Sequence, residues 1–325
     1  MIEIKNVLVT GGAGFIGSNI VATLLDDVRV GKVRVLDDLS NGYRENIVEF
    51  MGRDDFEFLE GDIRDYNTCL AACKGMDLVS HQAALGSVPR SIKDPILTDS
   101  VNTGGTLNMF NAVKEMGLDR IVFAASSSTY GDSEGLPKIE HIIGKPLSPY
   151  AITKYVNELY ADVFALNYDF EYIGLRYFNV FGPKQDPNGA YAAVIPLFFK
   201  AALEGKAPVM NGDGSYSRDF TYVDNAVQAN VLSLFADKTD DQETNPVNQI
   251  YNIAYGQSTT LLELWQYIQD AVDVKLDAEF GPFRVGDIPH SLADISKAQT
   301  RLGYEPKFDV SVGLKNTCEW YKKVL

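Results

Sequence analysis

Short apolar runs separated by glycine-bearing turns and by longer amphipathic stretches set the pattern of the first half of the chain. Runs at 4–9, 33–37, 56–60 and 120–125 read as strands, and a fourth strand with its following loop occupies 78–84. Residues 100–116 read as one helix, with Asn102 near its start. Ser148 and Pro149 are a natural N-cap and first-turn residue for a further helix. Alternation of this kind predicts parallel strands joined by right-handed helical crossovers, hence an α/β fold with a doubly wound parallel sheet. After that helix the pattern loosens. Residues 172–183 read as a sixth strand that leaves the sheet for a different region. A loop at 186–193, a turn at 209–214, a return to the sheet at 218–223 and a helix over 224–236 follow. A strand at 249–254, a helix at 261–272 and a mixed final fifty residues complete the chain. The expected division is a main unit of 1–178 plus 221–257 and a smaller α/β lobe of 179–220 plus 258–325.

The turn after the first strand is the most informative stretch. Gly11, Gly14 and Gly17 follow a GxxGxxG spacing between strand and helix. Gly11 allows the turn, Gly14 lets a pyrophosphate approach the backbone, and Gly17 lets the helix pack on the strand. The helix start then offers free N–H groups and a positive dipole end to phosphates. Asp37 ends the second strand twenty residues after Gly17, where a carboxylate can accept from both ribose hydroxyls of an adenosine. The same carboxylate would repel a 2′-phosphate, and Asp38 and Leu39 follow it, not arginine. The expected cofactor is NAD and not NADP. Asp62 and Ile63, after the third strand, suit contact with an adenine edge.

Composition narrows the rest. The 325 residues are 46% hydrophobic and 22% charged, ordinary for a globular chain, and the net charge is −15. Such a charge disfavours nucleic acid and anionic membranes as partners. Cys69, Cys73 and Cys318 make neither a disulfide framework nor a zinc spacing, so no metal is expected. With no leader pattern and no apolar stretch of membrane length, a cytoplasmic location is expected.

A candidate chemistry appears after the fifth strand. Ser126 stands at its carboxyl end, the usual place for functional groups in such sheets. Tyr150 and Lys154 are four apart on the next helix, hence on one face, and no other tyrosine of the 17 has lysine four residues later. The lysine charge is expected to draw the phenol below its usual value of about 10, as a general base for an alcohol needs.

With these residues set out, the chain resembles the extended short-chain dehydrogenase/reductases of the nucleotide-sugar epimerase type, from residue 4 to about 310. It is most similar to the UDP-N-acetylglucosamine 4-epimerases of bacterial surface-polysaccharide pathways. The runs 81–91, 125–132, 144–160, 174–181, 186–196 and 284–294 carry that likeness. The resemblance implies that Tyr150 is the catalytic base, Lys154 its partner on the nicotinamide ribose, and Ser126 the holder of the sugar 4-hydroxyl. It implies that NAD is lined by Gly11, Gly14, Phe15, Ile16, Asp37, Asn41, Asp62, Ile63, Gln82, Asn102 and Tyr177. It places the UDP-sugar against Asn179, Val194, Asn211, Arg218, Arg284 and Asp287. Gly86, Ser87, Ala193 and Ser291 are small and leave room for an N-acetyl group, which Ser127 and Ser128 are placed to bond. The reaction implied is a transient oxidation at C4 with NAD restored in every cycle, in a homodimer joined by helices near 100–117 and 150–166.

Other readings share parts of this pattern. Dehydratases and decarboxylases of nucleotide sugars need a carboxylate just after the catalytic Ser or Thr, but Ser127 and Ser128 stand there and the next carboxylate is Asp132. A 4-epimerase of UDP-glucuronate or its N-acetyl analogue is the leading alternative. An NAD-sensing scaffold would be expected to lose Tyr150 or Lys154, and both are present.

Overall fold

The computed structural model describes residues 3–188, 193–283 and 288–325. The chain opens on β1 (Lys5–Thr10), turns through the glycines into α1 (Phe15–Leu25), and continues through β2 (Val30–Asp37), β3 (Phe56–Glu60), α2 (Tyr66–Cys73) and β4 (Leu78–His81). Two short helices, α3 (Val88–Lys93) and α4 (Pro95–Asp99), precede α5 (Thr106–Met116), β5 (Arg120–Ser126), α6 (Pro149–Asn167) and β6 (Tyr172–Tyr177). The later part carries β7 (Val180–Phe181), α7 (Val194–Leu203), β8 (Val209–Asn211), β9 (Ser217–Arg218), β10 (Thr221–Tyr222) and α8 (Val223–Leu234). It ends with β11 (Gln249–Ile253), β12 (Thr259–Thr260), α9 (Leu261–Val272), β13 (Glu279–Gly281), α10 (Ser296–Leu302) and α11 (Val310–Val324).

Seven strands form one parallel sheet in the order β11-β6-β5-β4-β1-β2-β3. The order reverses between β1 and β4, which is where such sheets leave a crevice beyond their carboxyl ends. Apolar residues of α2, α5 and α6 cover one face, with Phe110 edge-on to Phe123 and Phe170 at 5.5 and 5.4 Å. Residues of α1 and α8 cover the other, continuous with α7, α9 and α11. The doubly wound sheet expected from the sequence is therefore present.

Four details differ from the sequence pattern. The helix expected over 100–116 is α5 preceded by a wide π-type turn, Ser100–Gly105. There Asn102 turns inward, accepting from the Leu85 N–H (2.8 Å) and donating to the Leu85 carbonyl (3.2 Å). Gly105 packs so tightly on Ile63 that a β-carbon would come within 2.5 Å of it. The sixth strand stays in the sheet, between β5 and β11, and the chain leaves only at β7. The turn expected at 209–214 begins with β8, which pairs with β13. Residues 217–222 do not rejoin the sheet: β9 pairs with β12 and β10 with β7 in separate two-stranded ladders. The sheet gains its seventh strand only at β11.

The glycine turn sets how close α1 lies to β1. A β-carbon on Gly17 would stand 2.1 Å from the Gly11 carbonyl oxygen, and one on Gly11, at φ +67°, would meet Ala83 backbone at 2.6 Å. Gly17→Ala is expected to destabilise the fold by about 1–3 kcal/mol by overpacking and to deplete bound NAD. Thermal unfolding and the NAD content of purified protein check this, and an unchanged melting temperature would refute it.

Candidate active site

A cleft of about 1100 Å³ opens beyond the carboxyl ends of the central strands. Gly11, Gly14, Phe15, Ile16, Asp37, Asn41, Asp62, Ile63, Gln82 and Tyr177 line it, and so do Gly86, Ser87, Ser126, Ser127, Tyr150 and Lys154. A second cavity of about 240 Å³ adjoins it, lined by Val194, Asn211 and Arg218, with Asn179 and Ala193 shared between the two. Asn102, Ser128 and Ser291 line neither. Arg284 and Asp287 lie outside the described residues.

The glycine end is built for an anion. No side chain caps α1 and no acidic residue stands in its first turn, so its leading N–H groups face the cleft without partners from their own helix. Asp37 stands beside it with its carboxylate set by backbone N–H donors, Ala13 to Oδ2 and Leu39 to Oδ1, both at 2.9 Å. Burial pushes that carboxyl above its usual range, and the two amides oppose the shift. This set fits a dinucleotide: an open phosphate cradle, an oriented acceptor for a ribose diol, and a cleft of about 1100 Å³ that runs from the glycine turn to Tyr150 and Lys154. Asp62 is paired to its own loop, accepting from Arg64 Nε at 2.8 Å. Two contacts bridge the lips of the cleft, Arg90 to Asn41 Oδ1 (2.9 Å) and Tyr43 hydroxyl to Asp186 Oδ2 (2.8 Å).

Asn102 does not line the cleft. It is fully enclosed and holds the loop at Leu85 while donating to Thr153 Oγ1 (3.2 Å). It therefore supports the cleft from beneath and joins it to α6.

The chemical end is carried by β5 and α6. Ser148 caps α6, accepting from the Ala151 N–H at 3.1 Å, and this fixes the helix start beside the strand end. Ser126 Oγ accepts from the Ser128 hydroxyl (2.8 Å) and from its N–H (3.2 Å), so Ser128 steadies Ser126 and does not itself reach the cleft. Lys154 Nζ donates to the Ala124 carbonyl at 2.8 Å and lies 6.0 Å from the Tyr150 ring centre. The lowered phenol expected from the sequence is not found. Burial raises Tyr150 above its usual value and only the Ser126 hydrogen bond opposes it. Burial also lowers the Lys154 ammonium to about 8. For Lys154 desolvation outweighs the opposing Glu158 charge, while Tyr150, half-buried in the cleft wall, is shifted by desolvation alone against its hydrogen bond.

A polar floor lies between these ends. Tyr177 hydroxyl donates to Gln82 Oε1 (3.0 Å) and accepts from Asn230 Nδ2 (2.7 Å), while Gln82 Nε2 donates to Asn230 Oδ1 (3.0 Å). Asn230 sits in mid-helix on α8, where nothing in the local sequence marks it. Tyr216 lines the smaller cavity and packs against Phe283 at 5.0 Å. Its placement two residues before Arg218 was the only available sign. Arg218 donates to the carbonyls of Ser217 (2.9 Å) and Pro289 (3.1 Å). Ser291 donates its N–H to Ser217 (3.1 Å), one step from this cavity and not in its wall. Burial holds the thiols of Cys69 and Cys73 up at about 12, which keeps them inert. Among the described residues no cluster of metal-ligating side chains is present, and no helix is long and apolar enough to cross a membrane.

A family model described as "NAD dependent epimerase/dehydratase family" matches residues 7–254. A UDP-glucose 4-epimerase of Mycolicibacterium smegmatis is 36% identical over 97% of this chain and 98% of its own. A structure of UDP-N-acetylglucosamine 4-epimerase from Methanobrevibacter ruminantium M1, in complex with UDP-N-acetylmuramic acid, is 39% identical with a TM-score of 0.91, covering 99% of this chain and 100% of that one. UDP-glucuronic acid 4-epimerase from Bacillus cereus, with UDP-glucuronic acid and NAD, is 30% identical with a TM-score of 0.88, covering 98% and 100%.

Asp37→Ala should weaken NAD binding about tenfold or more, the worth of a charge-assisted hydrogen bond. Calorimetric titration of NAD into stripped protein measures this, and unaltered affinity would remove Asp37 from the adenosine end.

Proposed function

Because the chain belongs to the NAD dependent epimerase/dehydratase family, we propose that it is a UDP-sugar 4-epimerase that interconverts UDP-GlcNAc and UDP-GalNAc. The observation that carries this reading is the convergence of Ser126, Tyr150 and Lys154 on one cleft with no carboxylate behind Ser126. Ser127 occupies the position that a leaving-group acid would need. Asp132 is turned away from the cleft and accepts from the Lys145 N–H at 2.6 Å. Elimination has no proton donor there, whereas exchange of one proton at a sugar hydroxyl does.

Bound in the cleft, NAD supplies a hydride acceptor and donor, and its oxidised ring brings the positive charge that favours a phenolate. Ser126 receives the sugar 4-hydroxyl, and Tyr150 takes its proton by way of Ser126 and later returns it. Lys154 orients the ribose beside Tyr150. Oxidation at C4 makes that carbon planar, so re-reduction from its other face inverts the centre. The smaller cavity takes the UDP moiety, with Asn179 and Arg218 toward the diphosphate and Tyr216 offering an aromatic face to the base. This local grip answers how a protein of net charge −15 takes an anionic substrate. Gly86, Ser87 and Ala193 give the sugar end small walls. The likeness to a UDP-glucuronic acid 4-epimerase supports the competing uronic-acid substrate. A homodimer is part of the proposal: α6 exposes Ile152, Leu159, Val163 and Leu166 along one stripe.

Purified protein should interconvert UDP-GlcNAc and UDP-GalNAc without added NAD, with products identified by NMR. UDP-Glc and UDP-glucuronate run alongside; turnover of the glucuronate alone would transfer the assignment to the uronic acid, and turnover of none would end the epimerase reading. Tyr150→Phe should lose at least about a hundredfold in kcat, the usual scale of general-base catalysis, while keeping bound NAD. Retained turnover would exclude Tyr150 as the base.

A further inference from the structure

α6 carries three ionisable side chains one turn apart, Tyr150, Lys154 and Glu158, and the reaction above uses only two of them. The four-residue step puts all three on one helical face. Lys154 and Glu158 are 4% and 3% exposed, so both charges stand out of water. Glu158 does not line the cleft. Both of its oxygens are taken by Arg176 of β6, Nε to Oε1 at 2.8 Å and a terminal nitrogen to Oε2 at 2.6 Å. Arg176 is 2% exposed, also donates to the Glu140 carbonyl (2.9 Å), and lies 4.8 Å over the Tyr130 ring. The carboxylate is thus clamped from the sheet side while its helix runs toward the cleft. The result is a buried ladder of alternating charge, Lys154⁺, Glu158⁻, Arg176⁺.

The other groups around this ladder do not supply a second counter-charge. His81 of β4 faces Lys154, and burial with the Lys154 charge holds its imidazole neutral, down to about 3, between Thr10 and Thr106. Without the cofactor Tyr150 faces it as a phenol, raised by burial, and in the NAD-loaded protein any phenolate there is common to parent and variants. Asp162, next along α6, acts on Glu158 and is engaged by the Tyr172 hydroxyl. Burial works against the Lys154 ammonium, and the Glu158 carboxylate works in its favour.

We propose that Glu158 is a positioning residue for the reaction: clamped by Arg176, its carboxylate keeps Lys154 cationic inside the protein. A neutral Lys154 would lose its pull on the phenolate form of Tyr150 and its grip on the ribose. This rests on the functional reading above, and the test separates the two.

The test follows the Lys154 side chain in NAD-loaded protein by ¹³C-lysine NMR against pH, the resonance assigned with Lys154→Arg. In Glu158→Gln the Lys154 midpoint should fall by about one pH unit, the effect of removing a buried opposite charge one helical turn away. Glu158→Asp should stay near the parent. Glu158→Gln with Arg176→Met should fall between the two, since the second cation leaves with the anion; it also carries the test if the single variant does not fold. In turnover the alkaline limb of kcat should move the same way. A Lys154 midpoint unchanged in the folded single or double variant would overturn the proposal and leave Glu158 as a helix-to-sheet tether. The titration needs no sugar, so absence of epimerisation would count against the function and not against this role.

Discussion

Everything in the cleft depends on a missing carbon. With hydrogen in place of a side chain at Gly17, α1 closes onto the Gly11 carbonyl at a distance that no β-carbon would tolerate. That approach points an uncapped helix start at the crevice where the strand order reverses. It also brings the Ala13 N–H onto Asp37, so the phosphate cradle and the ribose acceptor are made by one turn. The Leu36 carbonyl receives the Gly11 N–H at 2.8 Å, which ties that turn to the second strand as well.

The parts of the molecule that were legible in the sequence are those made by local pattern. Strands of apolar residues, the glycine turn, the Ser148 cap and the Tyr150/Lys154 spacing each depend on a few neighbouring residues. The parts that were hidden depend on distant pairing. β8 is three residues long and exists because β13 lies seventy residues on. The segment around Arg218 reads as a strand returning home, yet its ladder partner is Thr259–Thr260. Asn102 sits at a helix start in the sequence, but its amide is used up by Leu85 and Thr153, so it supports the floor and does not line it. The Tyr150 phenol shows the same limit in electrostatics. Spacing identifies the neighbouring ammonium, whereas enclosure, which spacing does not report, decides which way the phenol shifts.

Beneath the cleft, α6 is anchored to the 100–106 segment and to β6 by polar contacts. Asn102 reaches Thr153, Asn157 reaches the Asn102 carbonyl and Thr106, and Arg176 grips Glu158. The proposed cofactor floor and the proposed proton-transfer residues therefore share one hydrogen-bonded frame. On the sugar side the wall is assembled differently. Asp219, fully buried, accepts N–H groups from Tyr255, Gly256 and Ala293, so one carboxylate ties its own segment to two other stretches of chain.

That gathering has a consequence for how the molecule comes into being. The part of the chain outside the seven-stranded sheet is interleaved with it: α7 and β8 come before β11 in the chain, β12, α9 and β13 after it. Its ladders close only when residues separated by forty to seventy positions meet, and closing such loops carries an entropy that local contacts do not repay. It cannot be made from the residues on one side of β11 alone, since its two halves lie before and after that strand in the chain. Nor can it be cut out and grafted as a cassette, since no single stretch of chain contains it.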